Sequence, residues 1–166
     1  GMAATLPTNG GTQGAGGVIN FSGEVTTQSC DITPTSKELN VDLGAWAVSY
    51  FDNHTETSPS EFSIHVENCP DSVDTVAVLF DGTKDPSNST LLQLVPGQGN
   101  ATGLGVKIYN SDQTTAIEPG TVSAAKKKTN NGDANLTFYA DLSKTGKEAV
   151  GAGHVKAVSN FLMVYN

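Results

Sequence analysis

Phe62-Ser63-Ile64-His65-Val66-Glu67-Asn68-Cys69 sets an apolar side chain at every second position of its first five residues, with Ser63 and His65 between them. A period of two is the pattern of a strand with one face in a core and the other in water. The same pattern spreads outward in both directions. Upstream, Ile19, Phe21, Gly23 and Val25 share one parity, and Leu39, Val41 and Leu43 alternate with polar residues. Downstream come Val76, Val78 and Phe80, then Leu92 and Leu94, then Leu104, Val106 and Ile108. Leu136, Phe138 and Ala140 follow, and Val155, Ala157, Ser159, Phe161, Met163 and Tyr165 close the series. Turn clusters such as Asp81-Gly82, Pro96-Gly97, Asn110-Ser111-Asp112, Pro119-Gly120 and Asn130-Asn131-Gly132-Asp133 separate these runs and supply positive φ or Asx turns. The reading predicts about seven to nine strands in a β-sandwich. Helix is expected only in short pieces, over residues 45–51 after Gly44 and over residues 144–150.

The 166 residues suit one domain with a real core. Only 16% are charged, and 18 Gly with 7 Pro favour short strands joined by turns, which excludes a helix bundle. Nine basic residues, all lysine, against 17 acidic ones leave a net charge of −8. Such a surface repels phosphate backbones and anionic lipid, and without arginine no bidentate guanidinium is available to read bases, so no nucleic-acid partner is expected and membrane surfaces are poor partners. No apolar run approaches the roughly 18 residues of a membrane helix. Gly1-Met2 does not read as a natural start, so an export signal removed during processing is compatible with the sequence. Residues 1–17 hold few apolar side chains and read as a tail or linker.

No catalytic constellation emerges. His54 lies in a polar run, His65 at the outward parity beside Ile64 and Val66, and His154 in a Gly-rich turn, so each reads as solvated. His54 with Asp52 and Glu56 is too local to specify a metal site, and Asp81-Gly82-Thr83-Lys84-Asp85 reads as a surface turn rather than a calcium loop. The glycines of Gly99-Asn100-Ala101-Thr102-Gly103-Leu104-Gly105 lack phosphate-loop spacing and are assigned to a strand turn. Lys126-Lys127-Lys128 reads as a solvated loop at a turn, and Trp46 as a core or strap residue rather than a sugar platform. The Asn-x-Thr triplets at Asn53, Asn88, Asn100 and Asn135 matter only in a glycosylating host. No enzyme activity, metal or cofactor is assigned. Cys30 and Cys69, without zinc spacing, read as one disulfide, the alternative being two unrelated buried thiols. Closing a loop of roughly 40 residues would add about 4 kcal/mol by the chain-entropy model and place the chain in an oxidising compartment.

The order of several segments resembles the pilin subunits of bacterial chaperone–usher fimbriae, in particular the type 1 major pilin group. These are Gly16-Gly17-Val18-Ile19-Asn20-Phe21-Ser22-Gly23-Glu24-Val25, Cys30-Asp31-Ile32, Val41-Asp42-Leu43-Gly44, the stretch ending at Cys69, and Val76-Ala77-Val78-Leu79-Phe80-Asp81-Gly82. Ala101-Thr102-Gly103-Leu104-Gly105-Val106-Lys107-Ile108-Tyr109 and the ending Phe161-Leu162-Met163-Val164-Tyr165-Asn166, aromatic at its penultimate position, complete the likeness. It spans nearly the whole chain.

The resemblance implies an immunoglobulin-like sandwich that lacks its final strand and is completed by a donor strand from another subunit. It divides the chain into an N-terminal extension, residues 1–23, and a sandwich, residues 24–166. By the family pattern the donor residues are Ala15, Gly17, Ile19 and Phe21, on one face of a strand, with Gly17 where the groove is tight and Leu6 as an alternative anchor. Phe161, Met163 and Tyr165 mark the C-terminal strand that contacts the chaperone or the next subunit. The implied partners are other copies or related pilins, head to tail, with a periplasmic chaperone and an outer-membrane usher during assembly. The implied destination is the cell surface of a Gram-negative bacterium, where the filament meets a host glycan or surface. A small one-domain carbohydrate-binding adhesive or adaptor subunit is the alternative function.

Overall fold

The computed structural model describes residues 11–23, 25, 28–146 and 148–166. Among them are nine strands: β1 (Asp31–Ile32), β2 (Ser60–Glu67), β3 (Thr75–Asp81), β4 (Leu92–Gln93), β5 (Leu104–Tyr109), β6 (Ala116–Ile117), β7 (Lys126–Lys127), β8 (Ala134–Lys144) and β9 (Asn160–Tyr165). Helix is confined to one α turn, α1 (Pro34–Lys37), and a 3-10 turn at Val48–Asp52. The larger sheet runs β1-β2-β8-β5-β4 with β6 on β5, the smaller one β7-β3-β9, and every pairing is antiparallel.

The alternation of the sequence is the alternation of the core. Phe62 lies opposite Phe138 and Ile64 opposite Leu136 in the β2–β8 ladder. Val76, Val78 and Phe80 of β3 face them from the other sheet. Phe80 stands edge-on to Phe138 with ring centroids 4.9 Å apart and meets Phe62 at 6.0 Å, so an aromatic triad ties the sheets together. Edge-to-face pairs of this kind add about 0.5–1.5 kcal/mol beyond the area they bury.

Several expectations change. Residues 18–23 form no strand, because no edge of this chain pairs with them. Residues 39–43 keep their alternation, with Leu39, Val41 and Leu43 half-buried, but also lack a ladder. The C-terminal strand starts at Asn160 rather than Val155. Lys126 and Lys127 pair with β3 as an exposed edge strand instead of standing in a loop, a position where lysine blocks further pairing. The helix expected at 45–51 is the 3-10 turn; that at 144–150 is replaced by the end of β8, and the described residues beyond it are not helical. The α1 turn was not anticipated, although Thr33-Pro34 places proline where a helix tolerates it. The turn role of the glycine run holds: Gly103 has φ +76°, and a Cβ there would sit 2.5 Å from the Ala149 carbonyl oxygen.

Cys30 and Cys69 form a disulfide beside the β1–β2 pair, both buried, with Cα atoms 4.2 Å apart. The Tyr165 hydroxyl of β9 donates to the Cys30 carbonyl oxygen at 3.2 Å, so the end of the chain is fastened beside the disulfide. Non-reducing mass spectrometry should find no free thiol, and replacing both cysteines by serine should cost about 2–5 kcal/mol. Burial holds the Tyr165 hydroxyl above its ordinary pKa, with the charge of Asp31 adding to the rise. A raised folded-state value means stability present below about pH 10 and lost as pH climbs through that value. Tyr165→Phe should therefore lower the urea midpoint by the equivalent of about 0.5–1.5 kcal/mol near neutrality and make the alkaline decline shallower.

Candidate functional site

β9 pairs along its whole length with β3, from Val76 opposite Tyr165 to Asp81 opposite Asn160. Its other edge has no partner among the described residues. Across from it, residues 39–43 follow α1 and make no backbone–backbone hydrogen bond among the described residues. Only side chains engage their carbonyls: Ser60 Oγ donates to Asp42 O at 2.7 Å and Trp46 Nε1 to Leu43 O at 2.7 Å. Two backbone edges thus face one another with no strand between them.

The space between them is a groove of about 1260 Å³ bounded by residues 37–46 and 150–161. Its floor is the inward face of both sheets: Ile64 from β2, Val106 from β5, Ala140 and Leu142 from β8, Phe80 from β3 and Phe161 from β9. Trp46 closes part of the rim, half-buried and with its ring 4.9 Å from that of Tyr50, in keeping with a strap role. Charges such as Lys37, Asp42 and Lys156 stay exposed at the rim. An apolar floor between two unpaired edges accepts an extended peptide: its backbone would take up the ladder bonds and its alternate side chains the floor.

The sequence-predicted residues fall into three groups. Cys30 and Cys69 meet. Phe161, Met163 and Tyr165 share the inward face of β9 and pack against the core. Ala15, Gly17, Ile19 and Phe21 do not enter the groove of their own chain: residues 11–23 are exposed, nothing lies within 4 Å of a Cβ built on Gly17, and Ile19 and Phe21 are 76% and 90% accessible. Leu6 and the rest of residues 1–10 lie outside the described residues. Residues 39–43 and 155–159 were read as parts of ordinary strands; Lys156 O instead accepts from Val95 N, and the missing ladder at 39–43 leaves no trace in side-chain pattern.

The histidines take structural places. His54 stacks on Tyr50 at 4.0 Å between ring centroids, His65 lies 3.8 Å from Asp133, and His154 is exposed on the groove rim. Asp85 Oδ1 accepts the backbone N–H groups of Ser87 and Asn88, which makes the 81–85 stretch lead into an Asx turn. Among the described residues no group of three or more His, Cys, Asp or Glu is arranged to hold a metal.

Known proteins share this architecture. The P pilus rod subunit PapA superposes with a TM-score of 0.70 at 22% identity, covering 82% of this chain and 99% of that one. A chaperone–usher pilus structure that addresses rod uncoiling gives 0.71 at 23% identity over 99% and 100%. These likenesses show the fold, the immunoglobulin-like sandwich of pilus subunits. In sequence, the chain is 32% identical over 161 residues to the S-fimbrial protein subunit SfaG of Escherichia coli O6:K15:H31, covering 91% of this chain and 84% of that protein. It is 29% identical over 155 residues to the type-1 fimbrial protein A chain of Salmonella typhi, covering 91% and 83%. The model of the fimbrial protein family matches residues 19–166, most of the chain, and the chain belongs to that family.

Proposed function

We propose that this chain is a structural pilin that polymerises head to tail by donor-strand exchange. Residues 1–23 of one copy act as the extension, and residues 24–166 of the next act as the acceptor. One observation carries the reading: the chain holds an apolar groove with two unpaired edges and, outside it, an exposed tail whose Ile19 and Phe21 share the parity such a groove accepts. Residues 15–21 in extended form reach about 20 Å, comparable with β9. Burying Ile19 and Phe21 would contribute about 1.5–3 kcal/mol each, and the ladder would satisfy both edges.

The contact is heterologous and does not close, so it propagates as a filament. Phe161, Met163 and Tyr165 hold the acceptor edge, first beside a strand of a periplasmic chaperone and then, at the outer-membrane usher, beside the tail of the next subunit. The product is a surface fimbrium of a Gram-negative cell, and the chain works as a structural element rather than an enzyme. The disulfide fits an oxidising export route. Trp46, the natural platform for a sugar, is engaged with Leu43 and Tyr50, so the weight falls on the structural role over a carbohydrate-binding subunit.

Deleting residues 1–23 should abolish polymerisation while leaving a chain that binds a synthetic peptide of residues 11–23; retained polymerisation contradicts the proposal. Within the full chain, Gly17→Leu should block insertion by overpacking, at a cost of about 1–3 kcal/mol. Phe21→Ala should weaken the completed sandwich by about 3–5 kcal/mol. Electron microscopy of filaments from both variants is the check, and normal yields would show that another segment is the donor.

A further inference from the structure

Away from the groove, on the outward face of the larger sheet, Asp141 is only 2% exposed. Its position is unusual because outward residues of β8 should meet water, yet here residues 55–57 run antiparallel along the edge of β8 as a strap, with Glu56 opposite Ser143. Thr57 N donates to Leu142 O at 2.9 Å, Leu142 N to Thr57 Oγ1 at 3.0 Å and Lys144 N to Thr55 O at 2.8 Å. Beside this strap the Tyr109 hydroxyl lies 2.8 Å from Asp141 Oδ2 and 2.9 Å from Glu56 Oε2. Ser143 Oγ donates to Asp141 Oδ1 at 2.7 Å.

A phenol has one proton, so it satisfies one carboxylate, not two. With both carboxyls ionised, one of these short contacts sets an oxygen lone pair against a negative oxygen. A proton on Asp141 removes the conflict: the carboxyl donates to Tyr109, and Tyr109 donates to Glu56. We propose that Glu56, Tyr109 and Asp141 form a clasp closed by a single proton, which fastens the 55–57 strap to β8, and that loss of this proton loosens the strap.

The surroundings agree. Burial pushes the Asp141 carboxyl above the usual carboxylate range and the charge of Glu56 adds to it, against the hydrogen bonds from Ser143 and Tyr109 and the charge of Lys107. Lys107, opposite Asp141 in the β5–β8 ladder, is directed to Glu56 Oε2 at 3.6 Å rather than to Asp141. On β2 the nearest outward charge, Glu61, stands opposite Tyr139, two residues back along β8. Glu56 is half-exposed, so the proton belongs on Asp141.

The strap connects to the groove. Phe51, whose carbonyl accepts from Lys144 Nζ at 3.2 Å, and Leu142 both line it. Resting on the donor-strand reading, the clasp is then a proton-sensitive control on how firmly part of the groove floor is set; the clasp itself does not depend on that reading.

The test uses the full-length chain without donor peptide, so it succeeds or fails whether or not the groove takes a donor strand. Because the folded-state pKa is raised, the clasp contributes stability below the ordinary aspartate value of about 4 that is lost as pH rises through the folded value, tenfold in the folded-to-unfolded ratio for each unit of separation. Asp141→Asn keeps a donor toward Tyr109 and should match the wild type in acid, then exceed it in urea midpoint as pH rises. Hydrogen exchange in residues 55–57 and 142–144, taken as the ratio of wild type to variant at each pH, should rise over the same window. Carbon NMR of the Asp141 carboxyl should show a titration above the usual aspartate range that moves down in Glu56→Gln, and this reading stands even where Asp141→Asn does not fold. An ordinary Asp141 titration, one indifferent to Glu56→Gln, or parallel pH profiles for wild type and Asp141→Asn would overturn the clasp.

Discussion

Everything in this molecule turns on a strand that has only one hydrogen-bonded neighbour. Among the described residues β9 is covered by β3 on one edge and is bare on the other, and residues 39–43 present a second bare edge across the groove. Backbone N–H and C=O groups left beside an apolar floor are costly, about 1–3 kcal/mol for each one buried without a partner. A protein can manage such an edge with charges, proline or a covering loop, as the lysines of β7 do at the far side of the same sheet. β9 has none of these on its open side, so the edge is kept available for a partner strand.

That constraint explains how the rest of the fold is fastened. Without a strand between β9 and residues 39–43, the C-terminal strand would depend on β3 alone. The Tyr165 hydroxyl bond to Cys30, the Cys30–Cys69 disulfide and the two bonds that Asn166 O accepts from Asp74 N and Thr75 N fix it from other directions. The aromatic contacts among Phe62, Phe80 and Phe138 hold the sheets together beside the groove, so the acceptor keeps its shape while its edges stay open.

The core was legible because burial leaves a period of two in the side chains: β2, β3, β5 and β8 lie where their alternation placed them, and β9 takes the second half of its run. Periodicity reports which face of a segment is buried and is silent about what its backbone edges meet. Residues 39–43 therefore read as a strand like any other, and the vacant ladder beside them was known only through a family likeness. The two-residue strands at Ala116–Ile117 and Lys126–Lys127 are too short to show a period. Asp141 was illegible for another reason. Its outward parity promised solvent, and only the folded chain shows residues 55–57 paired along the edge of β8 with Glu56 and Tyr109 gathered at its carboxyl. The tail pattern at Ile19 and Phe21 was legible, but its register depends on a second copy and is written in no single chain.

The central claim is that the two bare edges and the exposed tail become one ladder on assembly. Amide hydrogen exchange, measured on the unassembled chain and on filaments, tests it at the backbone itself. The account requires residues 15–21, 39–43 and 160–165 to exchange freely or partly before assembly and to gain protection together in the filament. Filaments in which residues 15–21 remain as open to exchange as in the unassembled chain would contradict it.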